Sequence, residues 1–532
     1  MIDFRTALNS INPNKESGMQ ANSCCRICSA LTTGLFALLI AGPNDAQGQV
    51  PPAPTPISRM IESTDHIPAP MMTSVDSAQG FFAKNFLGSQ SCTASSCHGN
   101  PRRESVTGSA AHFFFDADRH QRGGAVLRER RSKEIAERLN LPQPAWETKE
   151  CLVCHAPAAI QSENRQDFQA KLAEGVGCES CHGPARNWLT LHHTLEWKSP
   201  EIWSSEIKEE VGFRETKNLL NRVNDCADCH VGNANQSVNH DLIAAGHPRL
   251  VFEYAAYQSM MPAHWRRSED RQRQASARNS SWSQPTSEAW DWLLGQLVNA
   301  EHELSIVSAS GSNPNAVWPE LAQYDCFGCH HDLRTKSWQQ SRAAWDLKPG
   351  EFQWGTWNLG LLPELKKSLN DVVDDRLLEN VSVLQKRMRS PTVERASVSG
   401  TVLELQQQLR QAALSLQKKG LRTEDLRVIQ RSLLNDSARF TNQGWDRSTQ
   451  LYLALVAIDI GLSENPYMTV RMNPAREVTY RQLREQLSFR DSTKLIPPLE
   501  HRESPFRLQD HWSTIRQNFD DLTIQLSTEP QR

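Results

Sequence analysis

The chain has 532 residues and a formal charge of −3. That length allows two or three domains, and the near-neutral charge favours neither nucleic acid nor an anionic membrane as a partner. Of its 13 cysteines, ten are grouped in pairs and three (Cys24, Cys25 and Cys28) sit near the N-terminus, so the rest of the chain has no cysteine left over for structural disulfides.

Residues 1–48 resemble an export signal: Arg26 supplies a positive charge, Leu31 to Ala41 is a short apolar run, and small or polar residues including Ala46 and Gly48 come after it. The run is too short for a comfortable transmembrane helix, so no integral span is expected in the mature chain. The stretch before it is long and of mixed charge, and Met19 would make a tidier start. The alternative is an uncleaved membrane anchor. Residues 49–79 contain Pro51, Pro52, Pro54, Pro56, Pro68 and Pro70 and read as an extended linker.

Residues 80–345 carry the chemistry. Cys151-Leu-Val-Cys154-His155, Cys178-Glu-Ser-Cys181-His182, Cys226-Ala-Asp-Cys229-His230 and Cys326-Phe-Gly-Cys329-His330 are four C-x-x-C-H units, and Cys92-Thr-Ala-Ser-Ser-Cys97-His98 is a wider version. C-x-x-C-H attaches c-type haem: the thiols bond to the porphyrin and the adjacent histidine becomes the proximal iron ligand. Zinc ribbons also use paired cysteines, but they need no histidine directly after the second one. With 17 histidines in the chain, chance puts one there in about 3% of cases, and here all five pairs have it. A thioredoxin-like pair would occur once, and a disulfide framework would leave the histidines unexplained. The expectation is five covalently bound haem c groups, with His98, His155, His182, His230 and His330 proximal. Ten propionates and five ferric cores would take the formal −3 to about −8 oxidised and about −13 reduced, a charge that steers a basic redox partner. The 15 tryptophans suit a core packed against porphyrin faces, and ordinary packing explains them too.

The sixth ligand decides whether an iron carries electrons or binds substrate. Nine other histidines lie in this region: His112, His120, His192, His193, His240, His247, His264, His302 and His331. Five irons need at most five, so supply favours bis-histidine ligation. His331 comes directly after His330; on a helix it points about 100° away and can reach only a neighbouring haem. A surface histidine explains it as well. His247 lies in Ala245-Gly246-His247-Pro248, a rigid turn. His240 lies seven residues earlier, and His120 and His192 stand in linkers between motifs. His66, His501 and His511 lie outside this domain and read as ordinary.

The fold class expected is mainly α: a multihaem cytochrome c domain with little regular sheet, then a helical C-terminal domain. Short helices are expected after most motifs. A longer one is expected from Ser287 to about Leu304, where Trp290, Leu294, Leu297 and Leu304 recur at helical spacing, with surface loops near 267–285 and 308–314. Residues 346–490 hold no cysteine. Val402, Leu405, Leu409, Ala412 and Leu416 form an apolar stripe ended by Gly420; a second helix is capped by Thr423, and a third starts at Asp446. Residues 491–532 are charged and contain prolines, and are expected to wrap or fray.

Three strings, GVGCESCHGPARNWLTLH at 175–192, NHDLIAAGHPRLVFE at 239–253 and YDCFGCHHDL at 324–333, resemble the cytochrome c554 family, whose haem packing is related to that of hydroxylamine oxidoreductase. The resemblance covers about 85–345. It implies a periplasmic electron carrier with haems in stacked and perpendicular pairs, and it marks His120, His192, His240 and His247 as distal ligands. The family's type cytochrome has four haems, one of them five-coordinate, so a fifth motif departs from its pattern. The leading functional expectation is electron transfer between redox partner proteins, with no catalytic residue. The alternatives are an oxidoreductase acting on a small nitrogen or sulfur compound at a five-coordinate haem, and a redox subunit that docks through its helical half. No C-x-x-C-Lys variant marks an open haem.

Overall fold

The computed structural model describes residues 85–102, 106–262, 264, 287–330, 347–348, 350–463, 473–488 and 504–527. The export segment, the proline-rich linker and His331 lie outside them. The described residues are almost entirely helical and coil, with two isolated bridges and no β-strand among them. None of their helices is long and apolar enough to cross a membrane.

Three of the motifs end helices, and short helices come after them as expected, among them Pro157–Gln161 after the second motif and His240–Ala244 after the fourth. Lys149–His155, Cys178–His182 and Leu219–His230 each finish on the motif histidine. For the first two, the residues just downstream are the cause. Pro157 comes two residues after His155, and Gly183-Pro184 comes directly after His182; proline cannot continue a helix. Gly183 has φ +81°, and a Cβ there would lie 1.9 Å from the Gly212 carbonyl oxygen, so only glycine fits.

The helix from Ser287 runs on to Ser312, through the expected loop at 308–314. Buried Ile306 and Val307 keep one face inside, and no proline interrupts it before Pro314. Its principal partner is Arg395–Lys419, whose stripe Val398, Val402, Leu405, Leu409, Ala412 and Leu416 is buried along its length. Gly420, at φ +85°, ends that helix. Thr423–Asn435 follows Arg422, whose backbone N–H donates to Asp425 Oδ2 at 3.1 Å, so Asp425 rather than Thr423 closes this N-terminus. Trp445–Ser463 is buried on nearly every face; its Asp459 accepts hydrogen bonds from Tyr480 Oη at 2.7 Å and from Gln430. The tail does not fray over 504–527. Ser504–Ser527 is a helix, and Ile515, Phe519 and Leu522 recur at i, i+4 and i+7 to bury one face.

One buried ion pair joins the haem-motif region to this bundle. Arg249 donates to both oxygens of Asp446 at 2.8 and 2.9 Å, and Thr356 Oγ1 donates to the same carboxylate at 2.6 Å. Burial works against the Arg249 charge, but Asp446 beside it holds the pKa above the usual arginine value.

Candidate functional site

The wider first motif closes without an α-helix. Cys97 N donates to Ala94 O at 2.8 Å and His98 N to Cys92 O at 3.3 Å. Gly99 lies so close beneath the loop that a Cβ would sit 2.0 Å from the Thr93 carbonyl oxygen. The first and third motifs are stitched together. Glu179, inside the third, accepts from the backbone N–H of Leu87, Gly88 and Ala185, and Ser89 Oγ accepts from Cys178 N at 3.0 Å.

Each of the five motif histidines faces one histidine from elsewhere in the chain. The ring centroids are 6.3 Å apart for His98 and His192, 6.0 Å for His120 and His230, 6.3 Å for His155 and His247, 6.3 Å for His182 and His264, and 6.2 Å for His240 and His330. Two pairs are near-parallel, at 18° for His98/His192 and 24° for His240/His330; the other three cross at 72–79°.

Nδ1 is engaged in several of these rings. His98 donates to Thr107 O at 2.9 Å, His192 to Leu189 O at 2.6 Å, His247 to Pro248 O at 2.8 Å and His120 to Asp118 Oδ1 at 2.9 Å. His155 and His264 also bond the backbone, of Gly123 and Pro262 respectively. A histidine held through Nδ1 has its orientation and tautomer fixed and keeps Nε2 for a metal. Burial lowers the pKa of His155, His192, His264 and His330 and pulls His182, His230 and His247 down to about 4. These rings are therefore neutral near pH 7, the state that binds metals.

Of the distal candidates read from sequence, His120, His192, His240 and His247 each lie opposite a motif histidine. None faces the motif nearest to it in sequence. His264 holds the fifth place, and nothing in the sequence reading singled it out. Its signal was Pro262 two residues before it, the same kind of rigid backbone that marked His247. His302 is buried with both ring nitrogens used, Nδ1 on Gly232 O at 3.0 Å and Nε2 on Asn224 Oδ1 at 3.1 Å. His112 Nε2 bonds Gly99 O at 3.3 Å, and His193 packs against His192.

The thiols also meet between motifs. Cys92 and Cys178 share a hydrogen bond that draws Cys92 down to about 7 and pushes Cys178 up. Cys154 and Cys229 share another. Cys181 lies within electrostatic reach of Cys226 and is pushed up to about 12, chiefly by burial. Phe252 stacks on the His230 ring at 5.0 Å and 16°.

Among the described residues no three His, Cys, Asp or Glu side chains converge as a bare metal ion would require; what recurs is a facing pair. A metal–imidazole bond of about 2.0–2.1 Å on each side, with about 1.1 Å from nitrogen to ring centroid, sets two trans imidazoles about 6.2–6.4 Å apart. The five pairs, at 6.0–6.3 Å, lie close to this spacing, so each could hold a metal between two imidazoles.

Residues 83–183, which carry the first three motifs, match the family described as Cytochrome c554 and c-prime. No curated protein and no solved structure matches the chain. The matched segment is a c554-like cytochrome segment and suggests haem-based electron transfer.

Proposed function

We propose that this chain is an exported, periplasmic five-haem c-type electron-transfer protein in which every iron is closed by two histidines. Cys92/Cys97, Cys151/Cys154, Cys178/Cys181, Cys226/Cys229 and Cys326/Cys329 hold the porphyrins. The histidine pairs that would hold the irons are His98/His192, His155/His247, His182/His264, His230/His120 and His330/His240. The observation that carries this reading is the 6.0–6.3 Å spacing that recurs at all five motif histidines and nowhere requires a motif partner.

Bound haem supplies a one-electron Fe(III)/Fe(II) couple. The chain's part is to set each iron between two imidazoles and to bring the groups close together. The Cys92/Cys178 and Cys154/Cys229 hydrogen bonds put the first motif beside the third and the second beside the fourth. The fifth joins near Arg249, two residues beyond His247, where Cys326 lies within the arginine's electrostatic reach. Closed irons favour a carrier over an enzyme, because a six-coordinate low-spin haem takes no substrate unless a ligand leaves.

The test is a haem count with carbon monoxide binding. A pyridine haemochrome assay should return five haems per chain that resist acid-acetone, and carbon monoxide should leave the reduced Soret band essentially unchanged. Four haems would mean an empty Cys92/Cys97 site. None would end the reading, and carbon monoxide binding at several haems with turnover of hydroxylamine or nitrite would replace the carrier with an enzyme.

A further inference from the structure

The segment after His192 is unusual for its surface. Among the described residues nine large hydrophobics are exposed, and three of them fall within thirteen residues: Leu195 at 80%, Ile202 at 54% and Ile207 at 40%. All three grow from one small module. Trp197 and Trp203 pack at 4.9 Å, Trp197 meets Phe213 at 5.2 Å, and Trp188 packs edge-on against the His192 ring at 5.4 Å. The aromatic cluster beneath this segment thus reaches His192, opposite His98, through Trp188. Exposed Cys97 belongs to the same motif.

The rim of this face is acidic. Glu196, Glu201, Glu206, Glu209 and Glu210 are exposed. Hydrogen bonds from Ser199 and Ser204 hold the Glu201 and Glu206 carboxyls below the usual range, so both are ionised near neutral pH. Two lysines oppose them. Lys198 is exposed, while Lys208 is laid over the Trp197 ring at 5.3 Å. An apolar centre with a charged rim is the anatomy of a protein interface, and single-electron carriers form small, transient ones.

We propose that the 195–210 face docks a small basic electron-carrier protein, which exchanges electrons with the haem between His98 and His192. The proposal rests on the five-haem reading. One electron passes from the partner's reduced iron to the ferric haem. The partner is oxidised, the haem is reduced, and no bond or proton moves. Carboxylates around Leu195 and Ile202 steer a lysine-rimmed partner into contact and release it readily, as a shuttle requires.

The experiment is stopped-flow reduction of the full, haem-loaded chain by a reduced basic monohaem cytochrome c, over a range of ionic strength. A small uncharged reductant serves as a control that needs no docking. The wild-type rate should fall steeply with salt. The E196K/E201K/E206K variant should react about 10–100-fold more slowly at low salt and lose most of that salt dependence, and L195S/I202S should slow the reaction several-fold. In both, haem content, visible spectrum and reduction by the uncharged reductant should stay as in wild type. Unchanged rates and salt slope with native spectra would overturn the docking face and leave the five-haem reading intact. Loss of a haem or a shifted spectrum in L195S/I202S would overturn it too, because those side chains would then be walls of the porphyrin site. A wild-type chain without five haems would instead remove the reading beneath it, through a different observable.

Discussion

From 219 onward the described helices bury leucine, valine and isoleucine in one continuous core that runs from Leu219 to Leu522. From 85 to 213 the buried apolar residues form two small islands. One has seven members, Leu127 to Leu172; the other has only Ala185, Trp188 and Trp197. Such islands are too small to hold a domain of that length by burial alone. The facing histidines supply what they lack, since His98/His192, His120/His230, His155/His247 and His182/His264 each join segments distant in sequence. One half is closed by aliphatic packing, and on our account the other is closed by coordination, so the two should fail in different ways.

The largest effect should come from removing one haem. In C178A/C181A, limited proteolysis should cut within 85–264 while 287–463 stays protected. A chain that remains compact and protease-resistant throughout would show that polypeptide packing suffices in the first half.

The joint between the halves comes next. Arg249→Ala leaves Asp446 buried at 2% exposure without its cation, which should cost about 3–5 kcal/mol in denaturant unfolding. A loss under about 1 kcal/mol would mean that the two halves do not depend on this joint. On the aliphatic side, Leu409→Ala at full burial should cost about 2–5 kcal/mol, with haem content and spectrum unchanged. A change in haem spectrum would blur the contrast between the halves.

The smallest effect is one of pH. Burial pushes Glu303 up to about 7, against the pull of an Asn358 hydrogen bond and the Arg249 charge and with the help of Asp446. A carboxyl whose folded pKa is raised contributes stability that is full below its unfolded value, near 4.5, and is lost as pH rises through about 7. Stability should therefore decline between about pH 5 and pH 8, and Glu303→Gln should flatten that decline by on the order of 1–3 kcal/mol. An unchanged pH profile in the variant would assign the slope to other groups.

The sequence was legible where the chemistry is contiguous. A cysteine pair and its histidine are written within five to seven residues, and the stripe Val402 to Leu416 within about four turns, so both could be read directly. Pairing is not contiguous: His192 meets His98 rather than the motif ten residues before it, because the fold, and not the spacing, brings the rings together. His264 was passed over in favour of His331, since adjacency to a motif is visible in a string and a facing ring is not. In the tail, charges and prolines outweigh a three-residue stripe, Ile515, Phe519 and Leu522, so the helix that packs back on Pro474–Leu487 is not legible there.

The central claim is that five irons are each held by two imidazoles in fixed relative orientation. Low-temperature electron paramagnetic resonance of the fully oxidised protein tests it most directly, because high-spin and low-spin ferric haems separate cleanly and the low-spin signal responds to the angle between the axial ring planes. The account predicts five low-spin haems and no high-spin signal of haem stoichiometry. Two should give the rhombic signal of near-parallel rings, from His98/His192 at 18° and His240/His330 at 24°, and three the strongly anisotropic signal of rings crossed at 72–79°. A high-spin signal amounting to one or more whole haems would contradict it.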